Sequence, residues 1–430
     1  MDSEISSRIL QSVDAIFERQ IEFLAELCSH PSTRGNEQSA QDFMANAMAE
    51  RGHAVDRWNI DVHDIAHLPG FSPVIGDYED AVNVVGTRRS ASRRGRSLIL
   101  NGHIDVVPEG PLDMWTSPPF MPRVDGRWMT GRGVGDMKAG LASNLFALDA
   151  LREIGFAPAA DVHVQSVVEE ECTGNGALAC LQRGYRADAA LIPEPFAEKL
   201  VDAQVGVLWF QVLLKGLPTH VAYAGSGSNA IEAAVPLIAA LHRLEECWNE
   251  SGRRSPHYQS HAHALNLNVG KIAGGDWTSS VPAWCVFDVR MGLFPGQEIE
   301  AAKHEIAKVI AEAAREHSFL RDNDPEIVWH GFHAEGYALS DDKSETAATA
   351  IAGLERAHRV VTGNELDRLA ITATTDARFF GLYAGIPALV YGPTAEAIHG
   401  FNERVDLDSM RRVTQATALF IADWCGLENA

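Results

Sequence analysis

Apolar positions recur at helical spacing from residue 7 to residue 28 (Ile9, Leu10, Val13, Ile16, Phe17, Ile21, Leu24), which predicts an opening amphipathic helix. A short apolar run at residues 97–101 has the texture of a buried strand. Residues 139–154 follow a glycine-rich stretch and read as a helix, residues 161–168 alternate as a strand does, and residues 188–192 form another short strand. Strand, helix, strand, helix, strand in that order implies right-handed crossovers and a largely parallel sheet. Near Gly206 the texture changes. Strands are expected at 207–214, 265–272, 284–290 and 326–329, with helices at 229–244 and 297–317. That β-α-β-β-α-β order is the split ferredoxin-like unit. The chain then returns to a helix at 345–362, a strand at 386–391 and a closing helix at 407–426.

A chain of 430 residues exceeds what one hydrophobic core usually organises. The reading is therefore an α/β protein whose mostly parallel-sheet domain spans 1–205 and 332–430, with an α+β domain inserted at 206–331. The polar, His-rich segment 251–263 is expected to be a mobile loop, and no internal repeat is present. A formal charge of −22 excludes a nucleic-acid partner, which needs a basic surface, and disfavours an anionic membrane. Residues 1–20 lack a signal-peptide apolar stretch, and no run approaches the ~18 apolar residues of a bilayer span. Six dispersed cysteines without a C-x-x-C pair exclude zinc-finger chemistry and read as reduced thiols in a cytoplasmic protein.

Several acidic and imidazole side chains lie at strand ends or in Gly/Pro turns, where an α/β protein places its chemistry. His103 and Asp105 form an H-x-D pair directly after a strand. Such a pair suits a metal-ligating imidazole whose other N–H is held by a carboxylate, although a satisfied strand-end histidine is the plainer alternative. Asp136, in Gly-Val-Gly-Asp-Met-Lys before a helix, is either an N-cap or a short carboxylate bridging two cations. Glu169-Glu170-Glu171 at the end of an apolar strand is harder to explain without cations, because adjacent carboxylates raise one another's pKa. One would fix a cation while its neighbour takes a proton. Glu194 is locked between Pro193 and Pro195, and either lines a site or sits in an exposed turn. His399 follows a strand in a Gly/Pro-containing loop. His220, in Gly-Leu-Pro-Thr-His, belongs to the inserted segment.

Taken together, Gly102-His-Ile-Asp105, Gly131-Arg-Gly-Val-Gly-Asp-Met-Lys-Ala-Gly140, the glutamate run, Thr375-Asp-Ala-Arg378 and the His399 loop resemble the zinc amidohydrolases. That family includes acetylornithine deacetylase, succinyl-diaminopimelate desuccinylase, carboxypeptidase G and the aminoacylases, and the resemblance covers nearly the whole chain. It implies two zinc ions, with cobalt or manganese as substitutes, bridged by Asp136. One zinc would take His103 and Glu194, the other Glu171 and His399. Asp105 would orient His103, Glu170 would be the general base, and the peptide after Asp136 would be cis. His220 would reach across a homodimer formed through the inserted lid and stabilise an oxyanion. Arg290 would grip a substrate carboxylate. Ser279-Ser280-Val281-Pro282 stands where relatives carry an asparagine, so Ser279 replaces a substrate contact. The implied activity is hydrolysis of the amide of a small N-acyl amino acid or amine, acetylornithine deacetylase-like by default. A formyl-aminopyrimidine deformylase, a dipeptidase or carboxypeptidase, and a hydrolytic deaminase of an aromatic amine are the alternatives on the same site. A binding module that kept the fold and lost the chemistry is the rival from another class.

Overall fold

A computed structural model describes residues 3–250 and 252–430. Its main sheet has six strands in the order Ala54–Asn59, Val82–Arg88, Val162–Val167, Leu98–His103, Ala189–Ile192 and Ala388–Val390. The last four run parallel to one another, and the first two complete one edge antiparallel. Leu98–His103 is buried along its whole length because a parallel strand in the middle of such a sheet meets side chains on both faces. Helices Ser3–Ser29, Ala139–Glu153, Glu345–Thr362 and Leu407–Trp424 supply that cover; Ala139–Glu153 is buried on nearly every position from Ala139 to Leu151. Leu100 is fully buried in the central strand. Leu100→Ala is therefore expected to cost about 2–5 kcal/mol, read as a lower denaturant midpoint at unchanged slope.

The two early strands, Ala54–Asn59 at the edge and Val82–Arg88 beside it, were not expected from the sequence. Ala54–Asn59 is only partly covered, so its apolar and polar residues carry little of the patterning that marks a strand. The segment from Thr173 to Gly176, which reads as a tight turn, contains the start of the helix Asn175–Gln182, entered through a left-handed Gly174.

A second sheet orders its strands Leu267–Gly274, Trp284–Leu293, Gly206–Lys215 and Glu326–Ala334, all antiparallel. Helices Ala230–Trp248 and Ile299–Glu316 pack on it, giving a separate core around Phe210, Leu237, Phe287 and Ile306. This is the ferredoxin-like arrangement expected from the element order. The His-rich segment is irregular, as expected of a loop, apart from one short turn of 3-10 helix at Pro256–Tyr258, and its first residue, Ser251, lies outside the described residues. Tyr258 is fully buried and its hydroxyl donates to the Ile371 carbonyl at 2.8 Å, so one aromatic side chain anchors the polar stretch. All six cysteines are free thiols. Among the described residues no helix is long and apolar enough to cross a membrane.

Candidate metal centre

Four parallel strands deliver the candidate ligands to one edge of the main sheet. His103 ends its strand opposite Val167, and the glutamate run leaves the sheet just beyond. Glu194 follows Ala189–Ile192, and His399 lies in the loop after Ala388–Val390. Asp136 sits in the turn that opens the helix Ala139–Glu153. Carboxyl ends of adjacent parallel strands converge in this way wherever an open α/β sheet builds a site.

Asp136 lies between the two imidazoles. One of its carboxylate oxygens is 3.1 Å from His103 Nε2, and the other is 3.5 Å from His399 Nε2. It is not an N-cap, since Lys138 holds that position. Around His103 Nε2 stand Glu194 at 3.6 Å and Glu170 at 3.9 Å, while His399 Nε2 lies 3.1 Å from Glu171. His103, Asp136 and Glu171 could jointly hold an ion, as could His103, Glu170 and Glu194. The Asp136–Met137 peptide is cis, as the resemblance implies.

His103 Nδ1 donates to the Asp105 backbone carbonyl at 2.9 Å, which leaves Nε2 free to face the cluster. The Asp105 carboxylate stands farther off, at 3.7 Å, and accepts instead from the amides of Glu170 and Glu171 at 3.3 and 3.0 Å. Asp105 thus orients His103 through its main chain, and its side chain ties the His103 turn to the glutamate turn.

The three glutamates separate cleanly. Glu169 has a left-handed backbone (φ +71°), and its carbonyl accepts the amides of Thr173 and Gly174 at 3.0 and 2.7 Å. Its carboxylate points away from the cluster, receiving Arg34 Nε at 2.6 Å, the Tyr78 hydroxyl at 2.7 Å and Thr173 at 2.9 Å. Only Glu170 and Glu171 face the imidazoles.

Five carboxylates (Asp105, Asp136, Glu170, Glu171, Glu194) meet two imidazoles here, mostly out of water. Burial pushes Glu170 and Glu194 well above the usual carboxylate range, and the neighbouring charges of Glu194 and Asp136, respectively, add to the rise. Burial also raises Asp105 to about 7. Asp136 is held low despite burial, by hydrogen bonds with His103 and His399. The Glu171 carboxylate lifts His399 to about 11. Such a set needs positive charge, and mixed imidazole and carboxylate donors suit a borderline divalent cation.

His220 and Ser279 are placed elsewhere. They lie on an exposed tip of the second sheet, where His220 bridges to Ser280 and the Val221 amide donates to the Ser279 carbonyl. Among the described residues no hydrogen bond or ion pair joins either to the cluster. Arg290 donates to the carbonyls of Asn266 and Thr372, at 3.0 and 3.2 Å. Sequence reasoning missed Arg34 and Tyr78, whose role depends on Glu169 turning away, and Glu403, which lies 1 % exposed behind Asp136. The one available cue to Glu403 is an acidic residue beside the buried strand Arg404–Asp406.

A model of peptidase family M20/M25/M40 matches residues 99–423. The chain is 28% identical over 444 residues to an N-formyl-4-amino-5-aminomethyl-2-methylpyrimidine deformylase from Halalkalibacterium halodurans, covering 99% of each. It is 24% identical to a succinyl-diaminopimelate desuccinylase from Delftia acidovorans, over 93% of this chain and 97% of that protein. Among solved structures, a di-peptidase from Saccharomyces cerevisiae shares the fold with a TM-score of 0.79 at 14% identity, covering 99% of both chains.

Proposed function

The chain belongs to peptidase family M20/M25/M40, and from that premise we propose that it hydrolyses the amide bond of a small N-acyl amine using two divalent cations, zinc foremost. The carrying observation is Asp136, which offers one oxygen toward each imidazole. Asp136 would bridge the ions, with His103 and Glu194 completing one site and Glu171 and His399 the other. Once bound, the cations would offset the charge of the cluster and supply Lewis acidity toward water and the substrate carbonyl.

Glu170 takes the proton from the attacking water and returns it to the leaving nitrogen, and its side chain stands beside both His103 and Glu194. The Glu169 contacts with Arg34 and Tyr78 support this register, because they turn the first glutamate of the run away from the cluster. His220 stabilises the developing oxyanion from a second copy of the chain. Residues 206–331 form the lid that carries it. An exposed apolar surface supports this dimer: Val235 and Ile272 are 63% and 56% exposed, Trp277 is 74% exposed, and Leu267–Gly274 is an unpaired sheet edge.

Among the amides, the N-formyl aminomethylpyrimidine class is favoured. The pyrimidine deformylase aligns with nearly the full chain, and one N–H on each terminal nitrogen of Arg290, the residue that would grip a substrate carboxylate, is already engaged by a backbone carbonyl. An assay with added Zn²⁺, Mn²⁺ or Co²⁺ should show faster release of formate from such a pyrimidine than of acetate from N-acetyl amino acids. The reverse order would return the reading to an amino-acid deacylase.

Metal content is a separate expectation. Protein reconstituted with zinc should carry two equivalents per chain. Elemental analysis that stays near zero after reconstitution would remove the basis of the mechanism. Because each imidazole must shed a proton to bind, affinity is expected to fall as the pH is lowered.

A further inference from the structure

We propose that Glu403 is a positioning residue that holds the Asp136 turn and the His399 loop in register; the inference rests on the reading that Asp136 and His399 are metal ligands. Glu403 lies four residues after His399 and is joined to the Asp136 turn by short strand pairing. Arg404 pairs with Thr130, which sets the Gly131 amide on the Glu403 carbonyl at 2.9 Å. The carboxylate then closes on the turn itself. One oxygen accepts the amides of Gly135 and Asp136, at 2.9 and 3.1 Å. The other accepts the Gly133 amide at 3.2 Å and Arg132 Nη1 at 2.7 Å.

Backbone amides that converge in a turn form a concavity for an anion, and here the anion is a side chain of the protein. The turn is shaped for it. Gly133 has φ +77°, and a Cβ on Gly135 would stand 2.6 Å from Ala395 Cβ and 3.4 Å from the Glu403 oxygen. Arg132 is buried too, lying over the Trp115 ring at 5.1 Å, so the charge of Glu403 is paired as well as hydrogen-bonded. The Asp136 carboxylate faces both imidazoles while its own amide is fixed from behind. Asp136 and His399 come from segments more than 250 residues apart, and one carboxylate ties them together.

The consequence is a site whose second half is built before any ion arrives. Groups that orient metal ligands without touching the metal typically contribute 10–100-fold to affinity. Glu403→Gln places an amide NH₂ against donors, so it cannot reproduce the four contacts. Metal-free Glu403→Gln should remain folded by circular dichroism yet bind Co²⁺ about 10–100-fold more weakly in chelator competition, with an altered visible Co²⁺ spectrum. A purely structural Glu403 would lower the melting temperature and leave the affinity and spectrum of the folded protein as in wild type; that result overturns the proposal. If Glu403→Gln is insoluble, the same titration on Glu403→Asp decides, because the retracted carboxylate keeps its charge but cannot span the turn. Asp136→Asn is the control. Wild-type Co²⁺ binding in Asp136→Asn would defeat the ligand reading, whereas loss there with wild-type binding in Glu403→Gln would defeat the Glu403 proposal alone.

Discussion

Glu170→Gln is expected to lower kcat by about 10²–10⁴ while metal content stays at the wild-type level. Glutamine keeps the volume and shape of the side chain, so the turn held by the Asp105 carboxylate through the Glu170 and Glu171 amides should persist. What it cannot do is take a proton. Burial raises Glu170 above the ordinary carboxylate range, which is the direction a general base working near neutrality needs. Glu171→Gln should behave differently. Its carboxylate stands 3.1 Å from His399 Nε2, and a neutral amide is a poorer zinc ligand, so this variant should lose affinity for one ion. Elemental analysis alongside initial rates separates the two. Equal metal loss in both variants would mean that Glu170 is itself a ligand.

Mixing the impaired His220→Ala and Glu170→Gln variants should restore about a quarter of wild-type activity. In a two-fold dimer at equal mixing, half the dimers are hybrids. Each hybrid has one site of two with both an intact base and an intact partner histidine. The expectation comes from the exposed tip that carries His220, which makes no polar contact with the cluster of its own chain. His220→Ala alone should lower kcat more than it raises KM, because an oxyanion contact forms mainly in the transition state. Verified hybrids without activity would show that His220 does not act across the dimer.

How much of this was legible in the sequence depended on how local each signal was. His103, Glu194 and His399 stand next to apolar runs and beside glycine or proline, so both their strands and their exit turns leave a mark within a few residues. The β-α-β-β-α-β order of the inserted segment was readable for the same reason, since each element has its own period. The antiparallel strands Ala54–Asn59 and Val82–Arg88 were not: the first is a half-covered edge strand without clear alternation, and the second, buried at nearly every position, lies between that edge and a strand about 80 residues later in the chain. The segment around Tyr258 is a loop, as expected, but its anchor was not legible, because the polar and small neighbours outweigh one buried phenol in any windowed reading. Glu169 and Glu403 were opaque for a related reason. Nothing in three consecutive glutamates says which one Arg34 will claim, and a carboxylate that serves another loop's backbone has no pattern of its own.

The last of the proposed ligands to be synthesised is His399, roughly 200 residues after Glu194. At the usual 5–20 residues per second, that interval is on the order of 10–40 s. During it the emerging chain already contains His103, Asp136, Glu170, Glu171 and Glu194, but the strand Ala388–Val390 that brings in the second imidazole does not yet exist. The whole second sheet, Gly206–Lys215 through Glu326–Ala334, is made in that interval, before His399 follows. On the proposed ligand set, loading of a two-ion centre would be a late event in the life of each molecule, and chains that end before residue 388 should emerge without one.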